Sequence, residues 1–159
     1  MKRIIPLVLA ACLFNSVLVC ARQPAVGSPP PADALTELTA AEALELLESG
    51  ALTSEQYVSA LLARADELQG LNVFITRDSE GALSAARAAD QRRAAGLPCG
   101  RLCGLPFVVK DNINSAGLRT TAGTPALASH QPAANAAAVQ RLLDEGAVLV
   151  GKTNMHELA

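Results

Sequence analysis

Residues 104 to 112 read GLPFVVKDN, and this stretch decides which fold the chain can adopt. Its middle part, Leu105 to Val109, is a continuous apolar run with β-branched and aromatic side chains, which predicts a buried strand. Ala147 to Val150 is a second run of this kind. Because neither run alternates apolar with polar residues, we expect both faces of the sheet to be covered.

Helical segments alternate with these strands along the chain. Thr39 to Glu42 and Thr53 to Gln56 each form a capping box, and a glycine ends each predicted helix. The predicted helices with their final glycines are 39–50, 53–70, 79–96 and 136–146, and a further short strand is predicted at 72–76. The alternation predicts an α/β fold with a mostly parallel sheet whose strands are covered by helices.

The composition bounds the size and the partners of the folded part. The chain has 159 residues, of which 50% are hydrophobic, enough for one domain of ordinary size. Its formal net charge is -2, and its basic residues form no cluster of the kind that a phosphate backbone requires. We therefore expect a small-molecule partner and no nucleic acid, while the oligomeric state stays open.

The N-terminal residues are typical of an export signal. A basic start precedes an apolar stretch, Ile4 to Val19, which is short and is interrupted by a proline and two polar residues. We interpret residues 1–21 as a signal peptide, which predicts an exported protein, periplasmic or secreted. The alternative is a lipoprotein anchored to the membrane through Cys12 or Cys20.

A linker follows this segment. Residues 22–34 include three consecutive prolines, Pro29 to Pro31, and a Gly-Ser pair, a composition that favours extended, solvated chain. The folded domain is therefore predicted to span residues 35–159.

Lys110 is the first candidate for a functional residue. It directly follows a predicted strand, and ligands of parallel α/β sheets bind beyond the carboxyl ends of the strands. Lys152 and Asn154 lie just past the end of the later strand. A lysine at the rim of a buried strand loses part of its hydration, which favours the neutral amine and would let it act as a base. The alternative is that Lys110 extends into solvent and pairs with Asp111.

A rival motif overlaps the later strand. Gly146 to Thr153 matches G-x-x-x-x-G-K-[ST], the phosphate-binding P-loop. A P-loop requires a strand before its first glycine, whereas a predicted helix precedes Gly146 and the middle residues are β-prone. We therefore interpret Gly146 as a helix stop rather than as part of a nucleotide site.

Two cysteines, Cys99 and Cys103, lie in a predicted turn before the strand that carries Lys110. In an oxidising compartment they could form a disulfide, and two free thiols are the alternative. A zinc site needs further ligands at suitable spacing, and neither His130 nor His156 lies near these cysteines in the sequence. We therefore predict no metal site.

Three stretches together resemble the amidase signature family: GLPFVVKDN at 104–112, TTAGT at 120–124 and GAVLVGKTNMHE at 146–157. The resemblance implies a partial amidase-signature fold and the hydrolysis of a small-molecule amide without metal or organic cofactor. In that family the lysine of the Gly-x-Pro-x-x-x-Lys-Asp motif is the base of a Ser, cis-Ser, Lys triad, and this role carries over to Lys110.

The resemblance also implies supporting roles for other residues. Thr124, Asn154 and Met155 fall in stretches that face the active site in the family, which makes them candidates for the substrate pocket. Asp111 and Asn112 are expected to orient the lysine or to cap the loop that follows it.

The serines of the triad have no counterpart in this sequence. Family members carry a Gly-Gly-Ser-Ser-rich segment downstream of Gly-Lys-Thr-Asn, and the sequence contains no such segment before Ala159. We therefore expect the N-terminal part of an amidase that is inactive alone. The alternative is a non-catalytic remnant or binding module of the same fold.

Overall fold

The structure, a computed structural model, describes residues 31–156. The predicted signal peptide, both candidate lipidation sites and most of the predicted linker lie outside the described residues. The first helix begins at Ala32, three residues before the predicted start of the domain. Within residues 31–156, no helix is both long enough and apolar enough to cross a membrane.

Five α-helices and three strands form the part of the chain that the structure describes. The helices are α1 (Ala32–Leu35), α2 (Ala40–Ser49), α3 (Ser54–Glu67), α4 (Ser79–Ala94) and α5 (Ala137–Asp144). The strands are β1 (Phe74–Arg77), β2 (Pro106–Lys110) and β3 (Val148–Thr153), and two short 3₁₀ turns lie at Gln69–Leu71 and Pro125–Leu127.

Both predicted capping boxes are confirmed. At the start of α2, the Thr39 side chain accepts from the Glu42 amide, and the Glu42 carboxylate accepts from the Thr39 amide. The same pair of hydrogen bonds begins α3. The predicted end of α3 is wrong, because a 3₁₀ turn continues the chain through Gly70 and the left-handed position falls on Asn72, with φ 50°.

The sheet has the order β1-β3-β2, with β3 in the centre. The prediction of parallel strands is confirmed for β2 and β3. Their starts lie side by side because the Gly104 amide donates to the Gly146 carbonyl at 2.8 Å. The prediction is wrong for β1, which is antiparallel to β3 and makes the sheet mixed.

The direction of α4 explains the antiparallel strand. Asp78, which precedes α4, donates its amide to the Val150 carbonyl, so α4 begins beside the middle of β3. Near the other end of α4, Arg93 donates to the Cys103 carbonyl in the loop before β2. The helix therefore continues in the direction of β1. The chain then reverses once to enter β2, whereas a parallel crossover would need a second reversal, between β1 and the helix.

Two apolar clusters stabilise this arrangement. The first packs α3 and α4 against the sheet and contains Val58, Leu62, Ala82, Ala86, Val148 and Val150. The second joins α1, α2 and α3 and contains Leu35, Ala43, Leu47, Leu52 and Tyr57. Burial of each large aliphatic side chain contributes about 1.5–3 kcal/mol, so these clusters fix the sheet and its helices as one unit.

Strand β3 is longer than its apolar run predicts. It continues through Gly151 to Thr153, because a central strand has a hydrogen-bonding partner on each side. Lys152 therefore lies inside β3 and not past its end, and Lys110 is the last residue of β2 rather than the first after it. Strand β3 covers most of the residues that match the P-loop motif, where a P-loop would have a phosphate-binding loop. Gly146 follows the end of α5, in agreement with its interpretation as a helix stop.

Candidate active site

Lys110 lies at the carboxyl end of β2, opposite Thr153 of β3. Its side chain is exposed, and among residues 31–156 it takes part in no ion pair. The expected loss of hydration is therefore not observed, since the residues that the structure describes leave this side chain open to solvent. The neighbouring pairing that we considered, between Lys110 and Asp111, is not observed either.

Asp111 is fully buried and fixes the chain as it leaves β2. Its Oδ2 accepts hydrogen bonds from the amide of Thr121, at 2.9 Å, and from the hydroxyl of the same residue. Its own amide donates to the Thr153 carbonyl, and its carbonyl accepts from the Ala122 amide, each at 3.1 Å. These contacts are those of a residue that caps and anchors the following loop. Asn112, next in the chain, is exposed.

Lys152 is the charged partner of Asp111. It is fully buried in β3, and its Nζ lies 3.6 Å from Asp111 Oδ1. The same Nζ donates to the Ile113 carbonyl at 2.6 Å and to Thr120 Oγ1 at 2.7 Å. Asp111 Oδ1 has no hydrogen-bond partner among the described residues, so the ion pair with Lys152 is what compensates its charge.

The environment of Lys152 acts on its ionisation in two opposite directions. Burial lowers the pKa of the ammonium because the charged form loses its hydration, and the Asp111 carboxylate opposes this shift. The lowering is the larger effect. A buried lysine with a paired carboxylate is a costly arrangement that persists only when hydrogen bonds satisfy both groups.

The segment between β2 and α5 is held by hydrogen bonds rather than by long helices. The Ile113 amide donates to the Lys110 carbonyl at 2.9 Å, which closes a turn directly after β2. Ser115 is fully buried, and its hydroxyl donates to the Ile113 carbonyl at 3.4 Å. Further along, the Thr120 amide donates to the His130 carbonyl. The loop is therefore ordered around the buried end of Lys152.

The three predicted pocket residues lie on different parts of this framework. Thr124 begins the 3₁₀ turn at Pro125–Leu127, where its hydroxyl accepts from the Ala126 amide. Asn154 is exposed, and its side chain donates to the Asn72 carbonyl on the β1 side of the sheet. Met155 donates its amide to the Asn154 side chain. These contacts are structural, and a role in a substrate pocket stays a prediction for all three residues.

A disulfide joins Cys99 and Cys103 in the loop before β2. This loop packs directly on the start of β3, where a side chain at Gly146 would overlap the Cys99 carbonyl oxygen. The Leu102 amide donates to the Glu145 carbonyl at 2.8 Å. The loop thus fixes where β2 begins. No group of His, Cys, Asp or Glu in residues 31–156 could hold a metal ion.

No local sequence pattern reveals the buried site that Lys152 forms with Asp111, Thr120 and Thr121. The patterns pointed to Lys110 because it follows an apolar run, and they placed Lys152 beyond its strand. A signal was nevertheless present, since an aspartate, Asp111, directly follows β2 and a lysine, Lys152, lies near the carboxyl end of the neighbouring parallel strand β3.

Residues 56–159 match the family model described as Amidase. This chain belongs to the amidase family. It is 47% identical over 128 residues to a mandelamide hydrolase of Pseudomonas putida, an alignment that covers 79% of this chain and 25% of that protein. It is 44% identical over 126 residues to a subunit of the glutamyl-tRNA(Gln) amidotransferase of Salinispora arenicola, an alignment that covers 79% of this chain and 26% of the relative.

Solved amidase structures share this part of the fold. The native peptide amidase of Stenotrophomonas maltophilia superimposes with a TM-score of 0.75 at 36% identity, over 81% of this chain and 27% of that structure. A bacterial aryl acylamidase of the amidase signature family gives a TM-score of 0.72 at 26% identity, over 76% of this chain and 26% of that structure. This amidase chain spans about a quarter of the length of the curated relatives it matches.

Proposed function

We propose that this chain supplies the lysine base of an amidase that hydrolyses small carboxamides. The observation that carries the proposal is the position of Lys110. Its exposed amine lies at the carboxyl end of β2, in a chain that belongs to the amidase family, and a hydrogen-bonded turn holds its backbone. A base must lie within reach of the proton that it accepts, and an exposed strand end leaves the Lys110 side chain accessible to a partner.

The proposed reaction follows the triad that the family resemblance implies. The neutral amine of Lys110 accepts a proton relayed through a bridging serine, which activates a nucleophilic serine. That serine attacks the amide carbonyl of the substrate, and the substrate nitrogen leaves as an amine after it takes up a proton. Water then hydrolyses the acyl-serine ester to release the acid. Ser115 does not suit the nucleophile, because its hydroxyl is buried and donates to Ile113. Both serines would therefore come from a segment outside the described residues, and the chain alone is expected to be inactive.

A chimera tests this proposal. Residues 31–159 of this chain replace the matching quarter of the Pseudomonas putida mandelamide hydrolase, and hydrolysis of mandelamide is measured for the parent chimera and its variants. Lys110→Ala is expected to lower kcat/KM by about 10²- to 10⁴-fold, as is typical when a general base is removed. Arg141→Ala is the matched control, because it removes an exposed cation from α5.

The control variant should retain the rate of the parent chimera. Full activity of Lys110→Ala, or amide turnover by the 159-residue chain alone, would show that the role of the lysine is assigned wrongly. A parent chimera that folds, binds amide and never hydrolyses it would favour the alternative, a non-catalytic binding module.

We also propose that the protein is exported. The proposal is supported by the sequence of residues 1–21 and by the disulfide, since such bonds persist in oxidising compartments. Protein purified from a bacterial host should then lack about the first 21 residues by mass spectrometry. A cytosolic protein with an intact N-terminus would contradict export, and a lipid on Cys12 or Cys20 would identify the anchored form.

A further inference from the structure

The buried charge of Lys152 has no role in the proposed reaction, yet its surroundings are costly to build. The side chain is fully enclosed, and a buried ammonium must find a charge partner and acceptors to replace water. Asp111, Ile113 and Thr120 provide these. All three belong to the segment that directly follows Lys110.

The contacts of Lys152 reach Lys110 through the main chain. Lys152 holds the Ile113 carbonyl at 2.6 Å, and the Ile113 amide in turn donates to the Lys110 carbonyl at 2.9 Å. Asp111 is joined to Lys110 by a peptide bond, and its carboxylate faces the same ammonium. Lys152 therefore restrains the backbone on the carboxyl side of Lys110 at two points.

The segment after Lys110 has no regular secondary structure. Residues 111–124 contain neither helix nor strand, so their backbone conformation depends on individual hydrogen bonds. Thr121 holds the second oxygen of the Asp111 carboxylate, which fixes that side chain in position toward Lys152. The first oxygen has only the ion pair to compensate it. If the ammonium is lost, none of the described residues compensates this oxygen.

We infer that Lys152 and Asp111 form a buried pair that positions Lys110 for catalysis. The inference rests on the proposed function of Lys110. Lys152 is a positioning residue: it touches no reacting atom and acts by fixing the turn from Lys110 to Ile113. Misplacement of a catalytic group by about 1 Å can lower a rate by as much as 10²-fold, so a restraint of this kind has a measurable effect.

Thr120 gives the cleanest test, because the residue is buried and its hydroxyl is an acceptor for Lys152. Thr120→Val keeps the shape of the side chain and removes the hydroxyl, whereas the matched variant Thr120→Ser keeps the hydroxyl. In the mandelamide hydrolase chimera, Thr120→Val is expected to lower kcat by about tenfold with KM unchanged, and Thr120→Ser to recover most of the loss.

The pH dependence of kcat/KM separates positioning from catalysis. The inflection due to the catalytic base should persist in Thr120→Val and in Lys152→Met, since Lys110 is still present in both. Disappearance of that inflection in Lys152→Met would make Lys152 the base and overturn the inference. Equal kcat for the valine and serine variants would also overturn it, because the hydroxyl would then have only a structural role.

A second measurement needs no activity. Amide hydrogen exchange of the dilute 159-residue chain is followed by mass spectrometry in the peptide that covers residues 110–122. Loss of a hydrogen bond to a charged group should speed exchange in this peptide by about tenfold or more in Thr120→Val relative to Thr120→Ser. Exchange in α4 should be unaffected. Equal exchange in the two variants would refute the restraint itself, whereas full activity of Lys110→Ala would refute only the proposed function.

Discussion

Replacement of Lys152 by methionine should destabilise the fold strongly even though methionine is apolar and similar in length. The variant removes two hydrogen bonds, to Ile113 and Thr120, and the charge 3.6 Å from Asp111 Oδ1. It leaves one oxygen of a fully buried carboxylate, Asp111 Oδ1, with neither an ion pair nor a hydrogen bond among the described residues. Breaking a buried pair by removing one partner typically costs about 3–5 kcal/mol, and we expect a loss in this range.

Urea unfolding of the 159-residue chain measures this loss. Far-ultraviolet circular dichroism at low protein concentration gives the midpoint and the slope for the parent, for Lys152→Met and for Asp111→Asn/Lys152→Met. The double variant removes both charges, so it should be more stable than Lys152→Met alone. A loss below about 1 kcal/mol for Lys152→Met would show that the pair is not what holds the loop.

The pH dependence of the same experiment has a definite sign. Burial lowers the pKa of Lys152 in the folded chain below its ordinary value of about 10.4. Between the lowered pKa and about 10.4, the unfolded chain binds more protons than the folded chain, so the contribution of this group to stability rises with pH. Lys152→Met lacks the group and should lack this rise. Parallel curves for the two proteins in alkaline solution would contradict the lowered pKa.

Two further predictions concern the sheet edge and the loop before β2. Val108 is 46% exposed on β2, an edge strand of the described sheet, so residues 33–159 expressed alone should associate increasingly with concentration. Light scattering should show less association for Val108→Lys. A parent protein that is monodisperse at all concentrations would contradict the prediction. Gly146 and Gly50 both have positive φ, which costs an L-residue roughly 1–2 kcal/mol. A methyl group at Gly146 would also overlap the Cys99 carbonyl oxygen, whereas the space at Gly50 is open, so Gly146→Ala should destabilise the chain by more than Gly50→Ala. Equal midpoints of urea unfolding for the two variants would refute that steric argument.

The sequence by itself determined the local elements of this amidase chain. Capping boxes, final glycines and apolar runs act between residues three or four positions apart, or along one strand, so their signals are complete within a short stretch. This is why the starts of α2 and α3 and the parallel pair β2 and β3 could be predicted. The three stretches at 104–112, 120–124 and 146–157 were likewise sufficient to indicate the family, which the match over residues 56–159 shows.

Only the tertiary structure decided which lysine is buried. The two hydrogen bonds of the Lys152 ammonium reach residues 39 and 32 positions away, and no local pattern brings such partners together. Lys110 directly follows an apolar run, yet it is exposed, because burial depends on what packs over the end of a strand. The direction of β1 was also decided by the tertiary structure. An apolar run looks the same whether its strand is parallel or antiparallel to its neighbour. The path of α4, from beside Val150 toward Cys103, selects the antiparallel direction.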